Sequence, residues 1–193
     1  MVQALREGAL TQTKGVVKYR PAFQAVSPEE ETIMPAPHDS LALLSTPVAQ
    51  ALLQSTIPAR LAYTGRDGTP RVLPIWFHWT GEVFVLGTRL DSGKVKALST
   101  YPTVALTIDT ESFPYQALQV RGTIEIERID GIVPEYELCA KRYLGEQRGQ
   151  AWMAQLRQAF PPMARVVVRP EWVSVLDLAQ LYPQVIAAVM AAE

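Results

Sequence analysis

The chain has 193 residues, 48% of them hydrophobic and 19% charged, a balance that suits one globular domain with a sizeable core. A formal net charge of −1 supplies no global field for nucleic acid or an acidic membrane, so any phosphate must be held locally. The lone cysteine, Cys139, excludes an internal disulfide, and no cysteine–histidine spacing suggests a metal site.

Residues 1–44 show weak periodicity, four prolines (Pro21, Pro28, Pro35, Pro37) and an acidic run from Glu29 to Glu31. They read as an extension that wraps the domain or is partly disordered. His38, at its proline-rich end, reads as a surface histidine. No apolar leader and no run of eighteen apolar residues occurs, so a soluble, cytoplasmic protein without membrane contact is expected. Ser45-Thr46-Pro47 opens a helix to about Ser55, with Val48, Ala51 and Leu52 inward.

A meander follows. Ala59–Thr64 and 71–78 are rich in strand formers, and Asp67-Gly68 between them supplies the positive φ of a tight hairpin. Alternation places Leu73, Ile75 and Phe77 on one face and Pro74, Trp76 and His78 on the other. Pro74 cannot donate to a ladder, so it marks an edge or a bulge. Thr80-Gly81 turns the chain into a third strand, 82–88. Residues 91–98 then change to helical spacing, with Val95 and Leu98 on one face and Ser92 or Asp91 as cap. That helix start offers free N–H groups, the hydroxyls of Thr88 and Ser92, the open backbone of Gly93 and the charge of Lys94, a set suited to an anion. The same residues also describe a capped surface helix with a solvated lysine.

Thr103–Asp109 forms a fourth strand, and a long strand runs from Tyr115 to about Arg128. In it Val120, Gly122, Ile124 and Ile126 face one way, while Gln119, Arg121, Thr123, Glu125 and Glu127 face the other. Pro134–Leu144 reads as a helix whose acidic start and basic end suit the macrodipole, with Gly145 closing it and Cys139 as a small core residue. A second helix, 147–160, carries Trp152, Leu156 and Phe160 at helical spacing; both helices are expected to cover the sheet. Residues 163–169 and 171–176 read as two closing strands parted by Pro170. In the tail, 178–193, Val185, Ile186, Val189 and Met190 make one apolar stripe, expected to dock on its own domain or a partner subunit.

Five segments in order carry a resemblance: Arg71–Phe77, Val85–Thr88, Ser92–Leu98, Tyr101–Thr107 and Val120–Ile126. Together they resemble the flavin-binding split β-barrel superfamily related to pyridoxamine 5′-phosphate oxidase, over roughly residues 45–177. The resemblance implies a mainly β, α+β fold: a split antiparallel β-barrel with covering helices. It implies FMN at the interface of a homodimer, with the deazaflavin F420 as the alternative. The cofactor-binding positions it implies are Arg71, Pro74, Ile75, Trp76, Leu86, Thr88, Ser92 and Lys94. Gln119 and Arg121, on the strand that lines the dimer interface, are implied to reach a cofactor held mainly by the other subunit.

No Ser-His-Asp set, P-loop or G-x-G-x-x-G occurs, so a hydrolase or Rossmann protein is not supported. No catalytic side chain is assigned, as befits a protein whose cofactor carries the reaction. The expected activity is an oxidoreductase acting on a small conjugated substrate, oriented by aromatics such as Trp76 and Trp172, with solvent or His78 giving the proton. The alternative is a non-enzymatic flavin- or haem-binding module. The family's Arg-x-His substrate motif is replaced here by Arg169-Pro170-Glu171, so the vitamin B6 reaction is not expected, and Gly93 stands where relatives often carry arginine.

Overall fold

The computed structural model describes residues 10–13, 16–19, 40–159 and 162–192. The chain divides into residues 1–38 and 39–193. In the first, β1 (Leu10–Thr13) and β2 (Val16–Tyr19) form an antiparallel hairpin that the weak periodicity there does not predict. His38 lies outside the described residues.

The second unit opens with a 3-10 turn, Ser40–Ser45, and α1, Pro47–Gln54. Thr46 is the N-cap, its Oγ1 accepting from the Ala49 N–H, and Pro47 takes the first helical position where its missing N–H costs nothing. The buried face is Ala49, Leu52 and Leu53, whereas Ala51, expected inside, is exposed and Val48 only half-buried. The 3-10 turn sets that roll: the Val173 N–H donates to the buried Ser40 Oγ at 3.2 Å, and Leu44 joins the core.

Among the described residues seven strands then make one sheet. They are β3 (Ala59–Thr64), β4 (Pro70–Ile75), β5 (His78–Trp79), β6 (Phe84–Arg89), β7 (Thr103–Asp109), β8 (Gln116–Ile129) and β9 (Met163–Asp177). Their order is β4-β3-β7-β8-β9-β6-β5, with every pair antiparallel. The two edge strands, β4 and β5, are joined by Trp76 and Phe77 alone, so Ile75 and His78 lie at most about 11 Å apart. A sheet whose opposite edges are tied this closely must curl into a barrel. It stays open between them, and the split lies at Pro74–Phe77.

Register explains the core. Leu73, Leu61, Leu106, Val120 and Val173 oppose one another across five strands and point inward. A second inward row runs Ile108, Leu118, Val175. Strand β4 ends at Ile75 rather than continuing to His78, because Pro74 removes a ladder donor just where the sheet parts. The closing segment is one strand, not two. Pro170 sits at a bulge where Glu171 has no partner opposite, between the pairs Arg121–Trp172 and Gly122–Pro170. Only glycine fits there, since a Cβ on Gly122 would stand 2.0 Å from the Arg169 carbonyl oxygen.

Helix α2 (Gly93–Leu98) buries Val95, Ala97 and Leu98 beside β3. Helices α3 (Pro134–Leu144) and α4 (Glu146–Ala159) pack as a pair, with α3 against β5 and β6. The inward residues of α4 are Met153 and Leu156, gathered on Ala140. Trp152, expected inward, is 41% exposed because α4 stacks on α3 rather than on the sheet. Phe160 lies outside the described residues. The tail forms α5 (Leu178–Leu181) and α6 (Pro183–Met190). The stripe of α6 stays exposed, Val185 at 59% and Val189 at 49%, and does not dock on its own domain.

Candidate functional site

The turn joining β3 to β4 and the first turn of α2 face each other across an open cleft of about 350 Å3. Tyr63, Arg66, Asp67 and Arg71 line one wall and Gly93, Lys94 and Ala97 the other. Three cations against one carboxylate give the cleft a formal charge of +2 (three minus one). The residues that form it are far apart in sequence; strand β3, which α2 packs on, brings them together.

Lys94 stands out among the cations. It is half-buried, it has no ion pair among the described residues, and burial holds its ammonium below the ordinary lysine range. An opposite charge beside it would reverse that shift. Ser92 is the N-cap of α2, its Oγ accepting from the Val95 N–H at 3.4 Å. Gly93 has open space where a Cβ would sit. Asp91, the other cap candidate, is instead held by Arg89 through two hydrogen bonds of 3.0 and 2.7 Å.

Arg71 and Lys94 share this cleft as their spacing cannot foretell, and Arg66 and Tyr63 join them unforeseen. The signal for Arg66 was a single basic residue in a turn, with nothing local to aim it at α2. Leu86 and Ile75 turn their side chains into the core, so they can offer a ligand only main-chain atoms. Thr88 is the last residue but one of β6, half-buried, five residues before Gly93 starts α2.

The split carries a second kind of surface. Pro74 is exposed on edge strand β4, whose outer side has no strand partner among the described residues. The Trp76 ring leaves the barrel and enters the α3–α4 pair. It stacks on Tyr143 at 5.1 Å and 6°, with Tyr136 at 5.6 Å and Trp152 at 6.3 Å around it. Behind it, Arg142 donates to the carbonyls of Leu53 (2.9 Å) and Phe77 and to the Tyr143 hydroxyl (2.8 Å). His78 is half-buried nearby; burial and the Arg142 charge lower its pKa, with Glu135 opposing. Burial pushes the Cys139 thiol up to about 11, leaving it inert near neutral pH.

Gln119 and Arg121 are not brought to the cleft. They lie on the outer face of β8, where Arg121 sits 4.0 Å over the Trp172 ring. Register places Val72, Ala62, Ala105, Arg121 and Trp172 in one row across that face. Small residues at its centre leave it flat. No cluster of His, Cys, Asp and Glu that would hold a metal occurs among the described residues. None of their helices is long and apolar enough to cross a membrane.

A family model described as pyridoxamine 5′-phosphate oxidase matches residues 45–177. No curated protein sequence matches the chain. Among solved structures, it is similar to an F420 reductase at 28% identity and TM-score 0.51, covering 65% of this chain and 94% of that one. A conserved hypothetical protein of Mycobacterium tuberculosis is 18% identical with TM-score 0.56, over 77% of this chain and 92% of the other. The haem storage protein HutZ of Vibrio cholerae is 16% identical with TM-score 0.50, over 66% and 90%. The last two are likenesses of fold.

Proposed function

This chain belongs to the pyridoxamine 5′-phosphate oxidase family, and we propose from that premise that it is an FMN-dependent oxidoreductase with the cofactor phosphate in the Arg66–Arg71–Lys94 cleft. The observation that carries this reading is Lys94, a half-buried ammonium beside two arginines with no carboxylate partner among the described residues. A phosphomonoester carries about −1.5 to −2 charge at neutral pH, which matches the cleft's formal +2. Arg66 brings from the facing turn the charge that Gly93 leaves out.

The cofactor, when bound, supplies the hydride chemistry. The chain's own residues do the rest. Lys94, Arg71 and Arg66 bind the phosphate, and the main chain at the split is free to hydrogen-bond a ring system because no strand claims it. Trp76 braces that segment from behind through its stack on Tyr143.

A second reading, F420 in the same cleft, is favoured by the likeness to the F420 reductase. Absorption spectra of protein purified from a host that makes both cofactors separate the two. An FMN band supports the first, bound F420 the second. A haem Soret band, or no chromophore together with no affinity for either in titration, overturns both.

The outer face of β4-β3-β7-β8-β9, with Arg121 and Val72 exposed on it, suits a second copy, which would bring its Gln119 and Arg121 toward the cofactor. Sedimentation at micromolar concentration should give twice the chain's 21.4 kDa. A monomer that still binds cofactor removes the dimer from the reading.

A further inference from the structure

We propose that Asp67 and Gly65 form a seat that positions Arg71 in the anion cleft, so that anion affinity depends on two residues that never touch the anion. This rests on reading the cleft as the phosphate site. Asp67 is fixed by its own turn: its Oδ1 accepts from the Thr69 N–H at 3.1 Å and from Thr69 Oγ1 at 2.7 Å. The turn itself is closed by Gly65 N–H to the Thr69 carbonyl at 2.8 Å and by Gly68 N–H to the Gly65 carbonyl at 2.9 Å. With Oδ1 held by the turn, Oδ2 accepts from Arg71 Nη2 at 2.6 Å. Asp67 is the anchor, and Arg71 follows it.

Gly65 completes the seat. A Cβ there would stand 2.7 Å from Asp67 Oδ1 and 2.9 Å from Arg71 Nε. The guanidinium therefore lies against the bare Cα of Gly65, one edge on Asp67. A guanidinium has five N–H donors in a rigid fork, and Asp67 takes one. The remaining edge is left for an anion on the cleft side, where Arg71 and Lys94 line opposite walls. The Asp67–Arg71 pair is half-exposed, so it adds little to folding. Its consequence is orientation: an arginine held in one rotamer loses less freedom when the anion arrives.

Asp67→Asn isolates this role. The amide oxygen can still accept both Thr69 donors, so the turn stays, but an NH2 now faces Arg71 where an acceptor was. Gly65→Ala acts from the other side and is the harsher variant: its Cβ would meet Asp67 Oδ1 at 2.7 Å, Arg71 Nε at 2.9 Å and the Thr69 carbonyl oxygen at 3.2 Å, so it disturbs the turn together with the seat. The probe is inorganic phosphate, followed by NMR at the Arg71 Nε–H and the Lys94 side chain. FMN and riboflavin are titrated in parallel. In wild type, phosphate should shift both groups. In each variant, phosphate and FMN affinity should fall about fivefold to tenfold, less than the loss of a whole charge-assisted hydrogen bond because Arg71 is loosened rather than removed. Riboflavin, without a phosphate, should bind as before, and in Asp67→Asn the melting temperature should stay within about 2 °C.

Removing the Asp67 charge through its field alone would raise anion affinity, so the two accounts differ in sign. Unchanged or tighter phosphate binding in Asp67→Asn overturns the proposal, as does a wild-type titration that leaves Arg71 and Lys94 unmoved. Failure of FMN and F420 to bind, with phosphate still sensing Asp67, overturns the cofactor assignment and leaves the seat standing.

Discussion

Among the described residues two cations lie partly buried without a carboxylate partner, and their surroundings could hardly differ more. Arg142 reaches from α3 to the carbonyls of Leu53 and Phe77 and the hydroxyl of Tyr143, its guanidinium packed 4.6 Å over the Phe77 ring. Lys94 opens into a cleft with two arginines and Asp67 for company and makes no ion pair among the described residues. The first has both terminal nitrogens engaged, by two protein carbonyls and a hydroxyl, and only its buried Nε is left without an acceptor. The second keeps them for something that is not protein. Charge and burial alone do not separate a fastening from a binding site; the partners do.

The comparison breaks most sharply at Arg142. Arg142→Ala removes the acceptors' donors at the end of α1, at the split and on α3 together, leaving carbonyls in a poorly solvated pocket. Its cost should be about 3 kcal/mol of stability, read from urea unfolding. Phosphate affinity should stay unchanged in whatever fraction remains folded. A variant as stable as wild type would mean that Arg142 is no fastening.

Lys94→Ala should do the reverse. The apo protein should unfold as wild type does, while FMN affinity falls about tenfold to a hundredfold, or roughly 1.5–3 kcal/mol. Riboflavin should not distinguish the two proteins. Equal FMN affinity in variant and wild type would place the anion elsewhere.

The two regions also differ in how far the sequence reveals them. The capped start of α2 is local information, and Ser92 caps it through the Val95 N–H as its type and position suggest. Strands β7 and β8 emerge from alternation because one face of each is core. Arg66 is hidden, since only the packing of α2 on β3 places a hairpin turn beside Lys94. Arg142 is hidden for a similar reason: its acceptors Leu53 and Phe77 are 89 and 65 residues away. Pro170 misleads because a bulge absorbs the missing donor, and no local pattern announces a bulge. The buried face of α4 is misread because Trp152 outweighs Met153 by size, while the groove on α3 at Ala140 selects Met153.

A smaller effect lies at Glu135, on the fastening side. Its Oε1 accepts from Arg165 at 3.0 and 2.6 Å, and this hydrogen bonding holds its carboxyl below the usual range. A depressed folded-state pKa means stability that is present above the unfolded value and lost as pH falls through the folded one. Glu135→Gln should cost about 1–2 kcal/mol near pH 7. That difference should shrink from about pH 5 downward and vanish once wild type is protonated. A penalty that does not change with pH would assign the loss to packing instead.

The smallest effect concerns His78, which lies next to the fastening region and was expected to give the proton if solvent does not. Burial, then the Arg142 charge, lowers its pKa below the ordinary 6.5, and Glu135 only partly opposes them. A pKa below 6.5 leaves the ring mostly neutral at pH 7, which, for the oxidoreductase proposed above, favours solvent as the donor. His78→Ala should leave the rate of acceptor reduction at pH 7 within about twofold, well below the 100-fold and larger losses typical of a general acid. The sign for stability follows from the same shift. As pH falls below about 6.5 the unfolded chain takes up a proton that folded His78 refuses, so stability should decline between there and the folded pKa. His78→Gln should flatten that decline, and in an NMR titration the resonance lost in the variant identifies His78 against His38. Arg142→Ala should raise the His78 pKa and Glu135→Gln should lower it further, because each removes one of the two charges acting on the ring. Should His78 instead titrate above 6.5 in wild type, Arg142 is not near enough to repel its proton, and His78 returns as a candidate proton donor.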